Sequence, residues 1–393
     1  MPELEELARR FKFSLDTLSE LKKVYGDELE EVVQSLKLPG RRYYFRVNTL
    51  KITTDQVMKR FEEKGLRVYR HPAIEEALYF EVDAPAPIER FDKKVMVDKF
   101  TAESVLQGAH VYAPGIRRCQ GLKLGDNVSI IDDQGQIVGA GIARMNEQNI
   151  LAFRRGLAVE VTSSPFRIPS LREMPEHEQG LVYPQSLPAI LTTRILDPQP
   201  GETIIDFTCS PGGKLSHMCQ LTNNCAKIIG VDRNESKVSL AQETMKRLGC
   251  QATSLIIHDS RYLDVDFPKL TADKCLVDPP CSALGVKPKT YEYTSRSEIE
   301  ALSKYQRQFL KAASRMLQAD GVLVYSVCTM TVQECEENAR FAVEECGLEL
   351  EKQWLILGSP GLDTIFPEGR FTQRFHPHLH DSGYFIARFR KKA

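Results

Sequence analysis

The chain has 393 residues, of which 42% are hydrophobic and 27% charged, with a formal net charge of −1. This is the composition of globular domains, and the near-neutral charge excludes bulk attraction to nucleic acid, so any RNA or DNA site must be local. No apolar run approaches the roughly 18 residues of a membrane span, and the opening Met1-Pro2-Glu3-Leu4-Glu5-Glu6 is acidic where a secretory leader is basic, which predicts a cytoplasmic protein.

From Leu4 to Leu36 apolar residues recur at mostly helical spacings, predicting two or three amphipathic helices that end at Leu38-Pro39-Gly40. Arg41 to Thr49 is basic, aromatic and β-rich. Its interleaved arginines suit either stacking and phosphate contact or a solvated edge strand. A helix over Thr54–Lys64, closed by Gly65, and a strand over Leu66–Tyr69 complete a small α+β region spanning residues 1–90.

Residues 91–165 change character. Strands are predicted at Lys94–Val97, Val128–Ile131, Ile137–Ala143 and Ile150–Phe153, a short helix at Ala102–Gln107, and glycine turns at the spacings of a small barrel. The run Val97-Asp98, Ala102 to Ala109 and Val111 to Ile116, followed by Leu124-Gly125-Asp126 and Gly139-Ala140-Gly141, resembles a PUA domain, an RNA-binding barrel. That resemblance implies binding to structured RNA, with Arg117, Arg118, Arg144 and Arg154 as candidate phosphate contacts; Arg46, in the basic aromatic stretch upstream, is a further candidate on its residue pattern.

From Tyr183-Pro184-Gln185-Ser186 onward, within a span set at 166–393, strand and helix signals alternate, the pattern of a parallel sheet covered on both faces. Strands are expected at Thr203–Phe207, Lys227–Val231, Ser254–Ile257, Lys274–Val277 and Gly321–Val327. Helices are expected at Glu235–Leu248 and after a capping box at Ser297 and Glu300. Ligands bind such sheets at the carboxyl ends of the strands. Those ends carry Thr208-Cys209-Ser210-Pro211-Gly212-Gly213-Lys214, Asp232, Asp259, Asp278-Pro279-Pro280-Cys281 and Cys328. An acid after the second strand suits a ribose diol, but the turn is not GxGxxG, so S-adenosylmethionine fits better than a dinucleotide. Two apolar runs each lead into a cysteine, Cys281 and Cys328, which predicts two thiols at one pocket.

The ten cysteines contain no CxxC pair and no paired His/Cys spacing, so no metal is expected. His376, His378 and His380 suit either a metal or a packed loop.

The elements Arg46 to Leu50, Tyr183 to Ser186, Asp206 to Lys214, Asp278 to Ser282, Tyr325 to Thr329 and Arg374 to Ala387 together resemble the NOL/NOP/Sun family of RNA cytosine-5 methyltransferases. With the PUA-like insert they resemble its tRNA-modifying, PUA-bearing branch. Two departures are Cys209-Ser210, where the family has Ala-Ala or Ala-Pro, and Ala283, where it has glycine.

The resemblance implies a Rossmann-like methyltransferase sheet spanning 166–393, a small N-terminal α+β region and an inserted barrel. It also implies S-adenosylmethionine as cofactor and tRNA, near its acceptor end, as substrate, with no obligate protein partner. By the same resemblance Cys328 is the nucleophile that adds to carbon 6 of cytosine, and Cys281 acts in release. Asp278 and Lys214 stabilise the addition, while residues 208–214, Asp232, Asp259 and Asp278 hold the cofactor. A small-molecule methyltransferase would need no barrel, and an inactive RNA-binding relative would lack one of Cys328, Cys281, Asp278 or Lys214.

Overall fold

The computed structural model describes residues 2–251 and 253–392. Met1, Ala252 and Ala393, which fall within the expected domain spans, lie outside the described residues. Three amphipathic helices open the chain: α1 (Pro2–Phe11), α2 (Leu15–Tyr25) and α3 (Leu29–Leu36). Ser14 caps α2 by accepting from the backbone N–H of Thr17. The buried stripe of Leu18, Leu21, Val33 and Leu36 meets Leu284, Ile299 and Met330, so these helices brace the distant catalytic part.

The next elements are β1 (Arg42–Val47), α4 (Thr54–Glu63), β2 (Tyr69–Arg70) and β3 (Ala77–Glu81). A capping box of Thr53 and Gln56 starts α4 as its sequence suggests. The strand expected at Leu66–Tyr69 begins only at Tyr69. Leu66 instead turns back to donate its N–H to the Phe61 carbonyl at 2.9 Å and packs with Val68 into the core beneath.

A six-stranded barrel follows, built from β4 (Lys94–Val97), α5 (Lys99–Val105), β5 (Val111–Tyr112), β6 (Ile116–Arg118), β7 (Asn127–Ile131), β8 (Ile137–Ala143), α6 (Glu147–Phe153) and β9 (Leu157–Ser163). Its strand order is β5-β9-β8-β7-β4-β6. Residues 150–153 are helical, which corrects the expected strand. Asn146 caps α6 by accepting from Asn149 N, and Ile150 alone turns inward while Leu151 and Phe153 stay exposed. A run of four apolar residues carries no period that separates the two states. The helix expected at Ala102 starts at Lys99 because Asp98 caps it.

After α7 (Pro175–Glu178) the chain returns to the first sheet. β10 (Val182–Pro184) pairs antiparallel with β1 and completes the order β10-β1-β3-β2. The stretch expected to begin the catalytic span at residue 166 therefore gives its first strand to the N-terminal sheet.

The large sheet is built from α8 (Leu187–Leu196), β11 (Thr203–Asp206), α9 (Gly213–Leu221), β12 (Lys227–Asp232), α10 (Glu235–Leu248), β13 (Thr253–Ile257), α11 (Leu263–Asp266), β14 (Ala272–Val277), α12 (Arg296–Met316), β15 (Leu317–Val327), α13 (Glu336–Glu345), β16 (Leu348–Glu351), β17 (Ser359–Pro360), β18 (Gln373–Phe375) and β19 (Tyr384–Lys391). The order is β13-β12-β11-β14-β15-β19-β18-β17, with β16 also beside β19. The first five strands are parallel and β19 runs antiparallel on β15, a Rossmann-like sheet.

Phe309, Leu310 and Ala313 of α12 and Ala339 of α13 cover one face. Ile190 and Leu191 of α8, Met218 of α9 and Met245 of α10 cover the other. The capping box of α12 is Ser295 with Glu298, one serine earlier than expected.

The barrel is seated on the segment that follows Ser282. Lys99 pairs with Glu292 at 2.9 Å, Lys289 pairs with the same carboxylate at 2.8 Å, and Thr290 N donates to Glu103 at 3.2 Å. Lys289 and Glu292 are buried there. Among the described residues no helix is long and apolar enough to cross a membrane.

Candidate active site

Four parallel strands end on one rim and deliver Asp206, Asp232, Asp278 and Cys328 to it. The turn after β11 runs from Phe207 to Gly212 and enters α9. Gly212 has φ 102°, and a Cβ there would lie 2.8 Å from Met245 Cε; at Gly213 a Cβ would lie 2.8 Å from the Tyr183 ring. The glycines are therefore dictated by packing against α10 and Tyr183. At Gly212 the positive φ adds a second reason.

Arg46 departs from the surface contact suggested by the sequence. It is 1% exposed, and its guanidinium donates to Gln185 Oε1, the Gly213 carbonyl and Ser216 Oγ, each at 2.7 Å. Arg46 is thus a buried brace behind the turn rather than a surface contact for RNA, because β1 lies between β10 and β3 with this side chain turned inward.

A cleft of about 310 Å³ lies over the rim, lined by Thr208, Ser210, Asp232, Asp259, Asp278, Cys281 and Cys328. Phe207, Arg233, Lys237, Tyr305 and Phe309 line it too, none of them singled out in the sequence. Cys209, Pro211, Gly213 and Lys214 instead line a smaller adjoining cavity with Asp206 and Asp278. The Cys209 thiol is buried, and burial pushes its pKa up.

Asp259 is held by Arg261 at 2.9 and 2.5 Å, and these hydrogen bonds keep its carboxyl below its usual pKa against the effect of burial. Arg261 in turn lies 4.7 Å over the Tyr305 ring. At the end of β11, burial pushes Asp206 up to about 7.

The Asp278 carboxylate is held on both oxygens. Lys214 Nζ donates to Oδ2 at 2.5 Å, while Ser326 Oγ and Tyr384 Oη donate to Oδ1 at 2.7 and 3.1 Å. Burial alone would lower the Lys214 pKa, but Asp278 with Tyr384 holds it above its ordinary value, so Lys214 is a cation. Ser326 and Tyr384 are further site residues whose roles only strand pairing reveals: β19 lies beside β15 with Val327 opposite Phe385.

The two thiols meet. Cys281 Sγ lies 3.3 Å from Cys328 Sγ. A hydrogen bond from Cys281 lowers the Cys328 pKa; burial and Asp278 oppose this and Lys214 adds to it, while Cys281 is pushed well up.

Both cysteine loops are tied to buried Glu334. It accepts from Ser282 N at 2.9 Å, Ser282 Oγ at 2.5 Å, Thr331 Oγ1 at 3.0 Å and Gln306 Nε2 at 2.9 Å. A second cleft of about 370 Å³ adjoins Cys328 and is lined by Arg42, Tyr43, Arg172, Lys287, Tyr384 and the barrel residue Gln107. Cys328 lines both clefts.

None of the barrel arginines Arg117, Arg118, Arg144 and Arg154 lines either cleft. Arg117 and Arg118 are exposed on β6. Arg144 pairs with Glu160, and Arg154 donates to the carbonyls of Ile116 and Pro114 at 2.9 and 2.8 Å. His376 and His380 pack beside Tyr25 and Phe375, and no group of three or more metal-ligating side chains occurs among the described residues.

Comparison with known proteins gives the family. A family model described as 16S rRNA methyltransferase RsmB/F matches residues 193–390, a PUA domain model matches 93–164, and an RsmF/B-like ferredoxin-like domain model matches 17–88. The tRNA (cytosine(72)-C(5))-methyltransferase of Pyrococcus horikoshii is 42% identical over 94% of this chain and 95% of its own length. The human tRNA (cytosine(72)-C(5))-methyltransferase NSUN6 is 28% identical over 92% of this chain and 85% of its own.

The crystal structure of NSun6 from Pyrococcus horikoshii with SFG superposes with a TM-score of 0.87 and 40% identity, covering 97% of this chain and 99% of that one. With the methyltransferase model spanning half the chain and so close a full-length relative, the chain belongs to the RsmB/F-type family of RNA cytosine-C5 methyltransferases, in its PUA-bearing branch.

Proposed function

We propose that the protein methylates carbon 5 of a cytosine at the acceptor end of tRNA, at position 72 as its relatives are named. The observation that carries this reading is Cys328 between two clefts, one rich in acids and aromatic rings and one carrying Arg42, Arg172 and Lys287. A methyl donor on one side and an RNA base on the other then meet at one thiol.

S-adenosylmethionine, when bound, supplies the methyl group. The donors in the acidic cleft fit it: Asp232 for the ribose diol, Asp259 for the adenine amino group, and the Thr208–Lys214 turn near the methionine end. Cys328 adds as thiolate to carbon 6, which makes carbon 5 nucleophilic. Asp278, fixed by Lys214, Ser326 and Tyr384, orients the base at ring nitrogen 3, and the Lys214 cation beside it offsets the negative charge that develops on the ring as the thiol adds. Cys281 then assists loss of the carbon 5 proton, and Cys328 leaves. The barrel, residues 91–165, grips the RNA through Arg117 and Arg118, with Arg144 and Arg154 as further basic groups.

The test is twofold. Bisulfite sequencing of tRNA incubated with enzyme and cofactor locates the methylated base. On a denaturing gel Cys328→Ala forms no covalent RNA complex and Cys281→Ala accumulates one; the reverse pattern overturns the assignment of the two thiols.

A further inference from the structure

The two thiols have a chemistry beyond methyl transfer. A reactive redox cysteine is typically of low pKa, accessible, and adjacent to a second, resolving cysteine. Cys328 lines an open cleft with Cys281 beside it, which places Cys328 as the attacking thiol and Cys281 as the resolving one. Both line an open cleft, so a small oxidant reaches them, whereas Cys119, Cys209, Cys219, Cys275 and Cys335 are buried. The sulfurs are 3.3 Å apart, and a disulfide needs about 2.05 Å, so closure takes little more than about 1 Å of sulfur movement. The backbone on either side of Cys281 is tied through Pro280 and Ser282, so this movement falls to rotation of the two cysteine side chains.

We infer that Cys281 and Cys328 form a peroxide-sensitive disulfide site, whose reversible closure removes both thiols from RNA chemistry. The Cys328 thiolate attacks one oxygen of the peroxide, the O–O bond breaks, and hydroxide leaves to become water. Cys328 is then a sulfenic acid. The Cys281 sulfur attacks it, the S–O bond breaks, and the second oxygen departs as water with the Cys281 proton. The two thiols have given two electrons, and one hydrogen peroxide has become two waters.

The cofactor contacts at Asp232 and Asp259 lie outside the sulfur pair, so the oxidised enzyme retains cofactor binding. Formation of the bond does not depend on the catalytic roles proposed above; the loss of methyl transfer does.

The full-length enzyme is titrated with hydrogen peroxide near stoichiometry. The expected result is a mass lower by two hydrogens, a peptide joining Cys281 to Cys328 in a non-reducing digest, and loss of methyl transfer with cofactor binding intact. Dithiothreitol restores activity. In Cys281→Ser, peroxide leaves a sulfenic acid on Cys328 that dimedone traps, and no cross-link forms. In Cys225→Ser, which removes an exposed cysteine away from the site, basal activity and cross-linking match the parent. Oxygen addition without a cross-link, or a cross-link between other cysteines, overturns the inference. A quantitative Cys281–Cys328 cross-link with unchanged activity upholds the disulfide and overturns the catalytic roles.

Discussion

Removing the Glu334 carboxylate loosens both cysteine loops at once. The side chain is fully buried; Oε1 accepts from Ser282 N and Gln306 Nε2, each at 2.9 Å, and Oε2 accepts from the hydroxyls of Ser282, Thr331 and Thr329. In Glu334→Ala the three hydroxyls can rotate to other acceptors, but the backbone N–H and the amide cannot. Two orphaned buried donors cost about 1–3 kcal/mol each, so the destabilisation is about 2–6 kcal/mol.

Glu334→Gln keeps an acceptor at Oε1 and offers its NH2 to hydroxyls that can accept. It loses charge assistance alone, about 1 kcal/mol. Gln306 also holds the Pro280 carbonyl at 3.0 Å, so the Ala variant shifts the Cys281 loop. A displacement of about 1 Å lowers the rate on the order of 10²-fold.

The assays are denaturant unfolding, cofactor binding, and methyl transfer with a gel readout of the covalent complex. The expectation is Ala well below Gln and Gln slightly below parent in both stability and rate, with cofactor affinity nearly unchanged. An Ala variant as stable and active as the parent, or a Gln variant worse than Ala, refutes the reasoning.

Three further outcomes follow from the geometry. Lys214→Met removes a cation that lowers the Cys328 pKa, so the acid limb of Cys328 alkylation by iodoacetamide moves to higher pH; an unmoved limb contradicts that cause. His217 is buried and donates Nε2–H to Glu76 at 2.8 Å. Burial first, then Arg46, lowers its pKa to about 4. The folded state therefore binds fewer protons than the unfolded state, and stability falls as pH drops from about 6.5 to about 4, by about 3 kcal/mol from this residue. His217→Gln flattens that slope in pH-dependent unfolding, and an unchanged slope assigns the loss elsewhere. Arg46→Ala lowers stability and leaves the salt dependence of tRNA binding unchanged, whereas a phosphate contact would shift the slope of log affinity against log salt by about one; filter binding at several ionic strengths separates the two.

Much of the fold was legible in the chain because its signals are local. The helix Glu235–Leu248 was bounded correctly by its periodicity and by Gly249, which takes φ 78° at the C-cap. Residues 150–153 were misread because four apolar residues suit either state, and the Asn146 cap decided it. The buried role of Arg46 was hidden for another reason. An arginine among aromatic residues reads alike on an edge or inside a sheet, and β10, its covering neighbour, comes from beyond the barrel.

The sequence by itself determined the five parallel strands of the catalytic sheet, the strand-end motifs and the two cysteines, because turn residues, periodicity and motif spacing are written along the chain. Tertiary structure alone decided what those groups face. The parallel pairing of β14 with β15 brings Cys281 within 3.3 Å of Cys328. The antiparallel return of β19 gives Asp278 its Tyr384 partner, and Glu334 ties the two loops together. The physical reason is that a hydrogen bond or a shared proton depends on separations of a few ångströms between residues 47 to 106 positions apart, and such separations are set by sheet order and packing.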